Sequence, residues 1–244
     1  MPVTLKAIDK RTKTAVAYYW KKLATQKKKQ VAGDADRGGR ASVTGGKQMH
    51  GFCRLIEKVL IENGMPKASI YFNSQLELPG YFRPTKKWDI LVVHNKKLVA
   101  AMEFKSHKGP SFGNNFNNRS EEAIGAAKDI CTAYREGKFD TSVRPWLGWL
   151  MLIEDCPASQ RTVSVAEPHF PVFPEFKNTS YTKRYEILLS KLIRERLYDA
   201  AALISSKKVG GKAGNYSEPS NDLRMESLCA SLAGHISSVL AKKR

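Results

Sequence analysis

The sequence predicts an α/β fold with helical additions at both ends. Three features carry that expectation. Two apolar segments, Trp88–His94 and Leu98–Lys105, are separated only by the polar Asn95-Lys96-Lys97 and read as a hairpin. Trp146–Ile153 is nearly all apolar, the mark of a central strand buried on both faces. Around these lie segments with apolar residues at helical spacing. The 244 residues suffice for one sizeable core, and no internal repeat or Pro/Ser-rich linker divides them, so a single domain is expected.

Along the chain, residues 12–30 form an amphipathic helix with Val16, Tyr19, Trp20 and Leu23 as its stripe. A basic, glycine-rich loop follows from Gly33 to Gly46. Its Gly46-Lys47 ending resembles a phosphate loop, but Ala41 stands where the first glycine belongs and Gln48 where Ser or Thr would hold magnesium, so that reading fails. Residues 48–63 form a second helix on Phe52, Leu55, Ile56, Val59 and Leu60, stopped at Gly64. A strand at 69–73 precedes the hairpin. An Asn- and Gly-rich loop, 106–118, leads to a helix over 119–136, with Asn118 and Glu121 as a capping box and Gly137 after the last turn. Beyond the apolar strand lies a Pro- and Phe-rich stretch, 168–176. A long helix is expected over 180–204 on Tyr185, Leu188, Leu189, Leu192, Ile193 and Leu197. A basic loop, 207–220, and a final helix, 221–241, complete the chain.

Charge narrows the function. Lys plus Arg number 41 against 23 acids, a net +18, and residues 1–50 alone carry 12 basic residues against 3 acids. A field of that sign draws in polyanions, and nucleic acid is favoured over an anionic membrane surface. The longest apolar run is too short to cross a bilayer, and the polar, basic N-terminus has no secretory signal, so a cytoplasmic protein is expected. Cys53, Cys131, Cys156 and Cys229 are widely scattered with no CxxC pair, and read as core residues or idle thiols in a reducing compartment.

The chemistry lies in the hairpin. Its apolar strands carry Asp89 on the first and Glu103 and Lys105 on the second. Glu103 and Lys105 share a face because side chains alternate along a strand. With a three-residue loop, His94 pairs with Leu98 and Asp89 with Glu103, which gathers two carboxylates and an ammonium. Adjacent carboxylates repel unless a cation intervenes, and Mg²⁺ suits such oxygen donors. It would also touch a phosphate oxygen and acidify a bound water, while Lys105, its own pKa lowered by the metal, orients or deprotonates that water. The alternative for so short a pattern is an exposed ion pair at a strand end. Directly after Lys105, the segment His107 to Arg119 offers Lys108, Asn114, Asn115, Asn117, Asn118 and Arg119. Asn suits adenine edges and Lys or Arg suits guanine. Alternatively, Asn and Gly there merely supply turn geometry.

The stretches AAMEFKSHKGPSFGNNFNNRSEEAIGAAKDI, TAYREGKF, PWLGWLMLIED and RYEILLSKLIRERLYDAAAL resemble the XhoI family of type II restriction endonucleases. The resemblance implies a restriction-endonuclease-like core, a mixed central sheet with flanking helices. Residues 1–244 then read as a single nuclease domain with a basic N-terminal helix and loop (1–47), a catalytic core (48–155) and a C-terminal helical part (156–244). The resemblance further implies Mg²⁺-dependent cleavage of double-stranded DNA in a bacterial cytoplasm. The site it implies is CTCGAG, cut after the first C to leave 5′ overhangs, with a cognate DNA methyltransferase protecting that site. The Asp and Glu-x-Lys of the wider nuclease superfamily map onto Asp89, Glu103 and Lys105. Trp88 stands where Pro often precedes the Asp, which keeps Glu77 as a substitute; Glu57 on the preceding helix could complete a metal shell. A palindromic site calls for a homodimer. A structure-specific or repair nuclease of the same fold, or a basic DNA-binding protein without catalysis, are the alternatives.

Overall fold

The computed structural model describes residues 3–31, 44–140 and 143–241. The expected loop at 33–46 and the terminal Lys242-Lys243-Arg244 fall largely or wholly outside them. The elements are α1 (Ile8–Val31), α2 (His50–Glu62), β1 (Ile70–Tyr71), β2 (Glu77–Pro79), β3 (Thr85–Lys87), β4 (Ile90–His94) and β5 (Lys97–His107). There follow α3 (Phe112–Arg135), β6 (Trp146–Glu154), α4 (Pro157–Gln160), α5 (Tyr181–Arg194), β7 (Ala200–Ser206), α6 (Lys208–Gly211) and α7 (Met225–Ala241). Five strands form one sheet in the order β1-β4-β5-β6-β7; β1, β4 and β5 are antiparallel neighbours, whereas β5, β6 and β7 run parallel. This is the mixed sheet that the resemblance implies.

Both faces of the sheet are covered, so β6 from Trp146 to Ile153 and β5 from Leu98 to Met102 carry no charged or polar side chains apart from the indole N–H groups. On one side α1, α2 and α7 bring Val16, Tyr19, Phe52, Ile56, Leu228 and Leu232 against Ile90, Met102, Leu150 and Ile204. On the other, α3 and α5 bring Ala127, Ile130, Tyr185 and Leu189 against Leu91, Ala101, Trp149 and Leu203. The stripes expected on α1, α2 and α5 are largely the buried ones. Gly64, at φ +91°, ends α2 where a side chain would be strained.

Three boundaries and one strand pair differ from expectation. The helix placed over 180–204 stops at Arg194, and its tail is β7. The run Ala200–Ile204 is apolar because it is buried on both faces of a parallel sheet, and periodicity cannot tell such a strand from a helix. The loop placed over 106–118 is short: β5 continues to His107 and α3 begins at Phe112, after Ser111. Asn118 and Glu121 therefore lie inside the helix and form no cap. The final helix begins at Met225, a turn later than the 221 expected. The small antiparallel pair β2–β3 was not foreseen; its three-residue strands are too short to show a period.

The hairpin also differs in how it reaches its register. The turn has two residues, Asn95 and Lys96, both left-handed at φ 50° and 61°, and His94 pairs with Lys97. That turn alone would bring Asp89 opposite Met102. A bulge intervenes: Val93 pairs with Leu98 but Val92 with Ala100, so one extra residue sits in β5. Beyond it Ile90 pairs with Met102 and the paired register ends; the Asp89 N–H also goes to Met102 O, so the expected pairing of Asp89 with Glu103 is not reached.

Candidate active site

Asp89 lies one residue before β4, and its backbone N–H donates to Met102 O at 3.1 Å, one residue short of the Glu103 carbonyl that the β4–β5 register would give it. Its Oδ2 accepts from the Phe104 N–H at 2.7 Å, fixing the side chain across the two strands. Glu103 is 5% exposed, so the pattern is no surface ion pair. Its Oε1 lies 2.5 Å from Lys105 Nζ and its Oε2 2.5 Å from Lys86 Nζ. Lys86 comes from β3, and its ammonium also donates to Lys87 O at 3.0 Å and sits 4.3 Å over the Trp88 ring. Sequence reasoning missed Lys86, because nothing in a Lys-Lys doublet marks which member points inward. Glu77, the substitute for Asp89, is exposed on β2 opposite Lys87.

The electrostatics follow from crowding. Burial pushes the Asp89 carboxyl up to about 6, and the Glu103 charge adds to it, against the Phe104 N–H and the two lysines. For Lys105 burial acts downward, but the Glu103 and Glu122 carboxylates outweigh it and raise its pKa. The chain's own groups thus keep Lys105 protonated, opposite to the lowering a neighbouring metal would produce.

These side chains form the floor of a cleft of about 1030 Å³. Lys47, Lys87, Lys108, Arg119, Lys208 and Lys212 line it, so the interior is strongly basic. Lys208 and Lys212 come from α6 and its end, within the segment expected as a basic loop. Gln48 lines the cleft and donates to Ser106 Oγ at 3.1 Å. Glu154 at the end of β6 also faces it and accepts from the Gly109 N–H at 3.2 Å.

The remaining expected residues separate. Lys108 and Arg119 reach the cleft. Asn114, Asn117 and Asn118 are exposed, and Asn115 half-buried, on the first two turns of α3, so they belong to a helix rather than a loop. Their ordered placement removes turn geometry as the reason for so many Asn. Glu57 lines a different cavity of about 630 Å³, beside Arg11, Arg54, Lys58 and Lys67. The residues of α2 that face the Asp89 cleft are His50 and Cys53. All four cysteines are free.

A hard divalent cation fits this floor. Asp89 and Glu103 both line the cleft with carboxylates, and a cation there would offset the burial and the Glu103 charge that together raise the Asp89 pKa. Among the described residues no group of three or more His, Cys, Asp or Glu side chains gathers, so a full shell needs backbone, phosphate or water oxygens as well.

A mixed sheet carrying paired carboxylates and a lysine in a basic cleft defines a nuclease of the restriction-endonuclease-like class. Comparison with known proteins makes this specific. The family described as restriction endonuclease XhoI matches residues 27–218. The chain is 51% identical over 218 residues to the type II restriction enzyme BstVI of Geobacillus stearothermophilus, covering 87% of this chain and 97% of that enzyme. It is 49% identical over 198 residues to the type II restriction enzyme XhoI of Xanthomonas vasicola, covering 79% and 78%. To AbrI of Azospirillum brasilense it is 48% identical over 172 residues, covering 70% and 77%. No solved structure matches. The chain belongs to the XhoI family of type II restriction endonucleases, which are site-specific deoxyribonucleases and work with a divalent metal. No described helix is long and apolar enough to cross a membrane.

Proposed function

We propose that the protein makes Mg²⁺-dependent double-strand cuts in DNA at CTCGAG, after the first C, leaving 5′ overhangs. The observation that carries the cleavage is the Asp89–Glu103–Lys105 floor of the basic cleft. The site rests on the family resemblance and on relatives that are half identical over most of their length. Asp89 and Glu103 would hold Mg²⁺. When bound there, the ion supplies positive charge against a phosphate oxygen and lowers the pKa of water. Lys105, kept protonated by Glu103 and Glu122, orients the attacking water and offsets charge growing on the phosphate. Glu57 is left with the neighbouring cavity. Lys108 and Arg119 reach the DNA from the cleft wall, and Asn114, Asn115, Asn117 and Asn118 lie alongside on α3.

A palindrome cut on both strands asks for two equivalent sites, so the active form is a homodimer with each subunit reading one half-site. A cognate methyltransferase acts on the same sequence without needing to touch this protein. The test is digestion of a plasmid of known sequence in Mg²⁺. Discrete fragments ending at CTCGAG are expected. A ladder of unspecific products would favour a repair-type nuclease, and intact plasmid would leave only DNA binding.

A further inference from the structure

Five side chains form a line of alternating charge from α3 to the hairpin. Arg119 Nη1 lies 2.5 Å from Glu122 Oε2, and Lys105 Nζ lies 3.4 Å from that same oxygen. Lys105 Nζ continues to Glu103 Oε1 at 2.5 Å, and Glu103 Oε2 to Lys86 at 2.5 Å. One carboxylate oxygen of Glu122 therefore serves two cations, of which one lines the cleft wall and the other belongs to the floor. The line runs between groups for which the function above has separate uses: Arg119 for the DNA, Lys105 and Glu103 for the cut.

Arg119 is not at rest in this arrangement. Its Nε is buried and has no hydrogen-bond partner. A buried donor without an acceptor is costly, so an orientation that satisfies it is favoured once an acceptor is offered. DNA in the cleft offers phosphate oxygens and guanine edges, both suited to a guanidinium. When Arg119 turns to them, Glu122 keeps only Lys105. The 3.4 Å contact is longer than a good ion pair and has room to close. Closing it draws Lys105 away from Glu103 Oε1 and leaves that oxygen freer for a cation.

We infer that Glu122 is a positioning residue that couples engagement of DNA by Arg119 to the placement of Lys105 and Glu103. This rests on the nuclease reading above, in which Arg119 meets DNA. Its consequence is that a correct site is read in the chemical step as well as in binding. Glu122 itself touches neither DNA nor the reacting atoms.

The test uses the full-length enzyme and the site mapped from the fragments of the wild-type protein; a wild type that makes no discrete fragments defeats the nuclease reading itself. Glu122→Gln keeps the shape and removes the charge. Glu121→Gln removes an equal charge from the next residue, which is exposed and does not line the cleft. Single-turnover cleavage is measured with saturating enzyme on the cognate duplex and on duplexes with one base pair changed, and binding is measured without metal. For Glu122→Gln the ratio of cognate to variant cleavage should fall roughly tenfold or more, the scale of one lost polar contact, while cognate binding is kept or tightened. Glu121→Gln should keep the wild-type ratio. On an Arg119→Ala background, Glu122→Gln should change the ratio no further. An unchanged ratio in Glu122→Gln, an equal fall in Glu121→Gln, or full additivity with Arg119→Ala would each overturn the coupling. A fall in rate matched by an equal fall in binding would do so too.

Discussion

Lys86 holds one oxygen of the carboxylate that a divalent ion needs, so its removal should tighten metal binding. The Lys86 ammonium sits 2.5 Å from Glu103 Oε2, and a charge-assisted bond of that kind is worth about 1.5–3 kcal/mol net. Its position 4.3 Å over the Trp88 ring adds about 0.5–1 kcal/mol. Displacing it gives back hydration and side-chain freedom, of which a lysine has about 2 kcal/mol to regain. The balance is about 1 kcal/mol against the metal at mid-range and about 2 at most, or roughly fivefold and at most about thirtyfold in affinity. Lys86→Met keeps the aliphatic stem on Trp88 and removes the charge. Calorimetric titration of Mg²⁺ into wild type and variant should show the variant binding more tightly by that factor. DNA affinity without metal should move little, because Lys87 rather than Lys86 lines the cleft. Equal or weaker Mg²⁺ binding by Lys86→Met would refute the idea that the ammonium and the ion compete for Glu103.

Further expectations concern the floor, the charge and the hairpin tip. Glu103→Ala and Lys105→Ala should each lower cleavage by about a thousandfold or more while keeping specific DNA binding, read by single-turnover rates beside a gel-shift assay. DNA affinity should fall steeply with salt, with a slope near −0.9 for each phosphate contacted, and a shallow slope would mean that few of the cleft lysines touch backbone. Asp129 on α3 ties down the β2–β3 tip, accepting from the Tyr81 and Phe82 N–H groups at 2.7 and 2.9 Å and from Arg83 Nε at 2.6 Å. Burial acts upward on its carboxyl, but Arg83 and the two N–H groups hold it below its usual value. A depressed folded pKa contributes stability that is present above the unfolded value of about 3.9 and is lost as pH falls through the folded one. Asp129→Asn should therefore lower the melting temperature at neutral pH, and the difference should shrink in acid; a pH-independent difference would contradict the linkage.

How much was legible depended on whether the signal was local. The stripe of α2 and the apolar run of β6 show their burial residue by residue, so these elements stood out. The gathering of Asp89, Glu103 and Lys105 in one place was also visible, since few reasons exist for acids on apolar strands. What escaped was set by distant packing. β7 reads as the tail of a helix because only its neighbour β6 makes it a strand. Lys86 and Glu122 look like surface residues, and their roles come from elements that fold back from elsewhere in the chain.

The hairpin shows how Asp89 and Glu103 come to line one cleft along a different path from the one expected. A two-residue turn with Asn first suits the right-handed twist of paired strands better than a three-residue loop. Taken alone it would set Ile90 opposite Ala101 rather than Met102, with the two strands' faces out of step. The bulge at Val99 undoes that slip. Val99 and Ala100 both point to the α2 side, breaking the alternation that Leu98 and Ala101 keep on the α3 side. The cost is a disturbed ladder near the turn, where the bonds matter least. The gain is at the other end, where Asp89 and Glu103 meet beneath the cleft. Bulges recur beside active sites because one inserted residue re-aims a side chain without rebuilding the sheet. Here the residue just beyond the paired strands is a carboxylate, Asp89, whose pKa is raised by burial first and by the nearby Glu103 charge second.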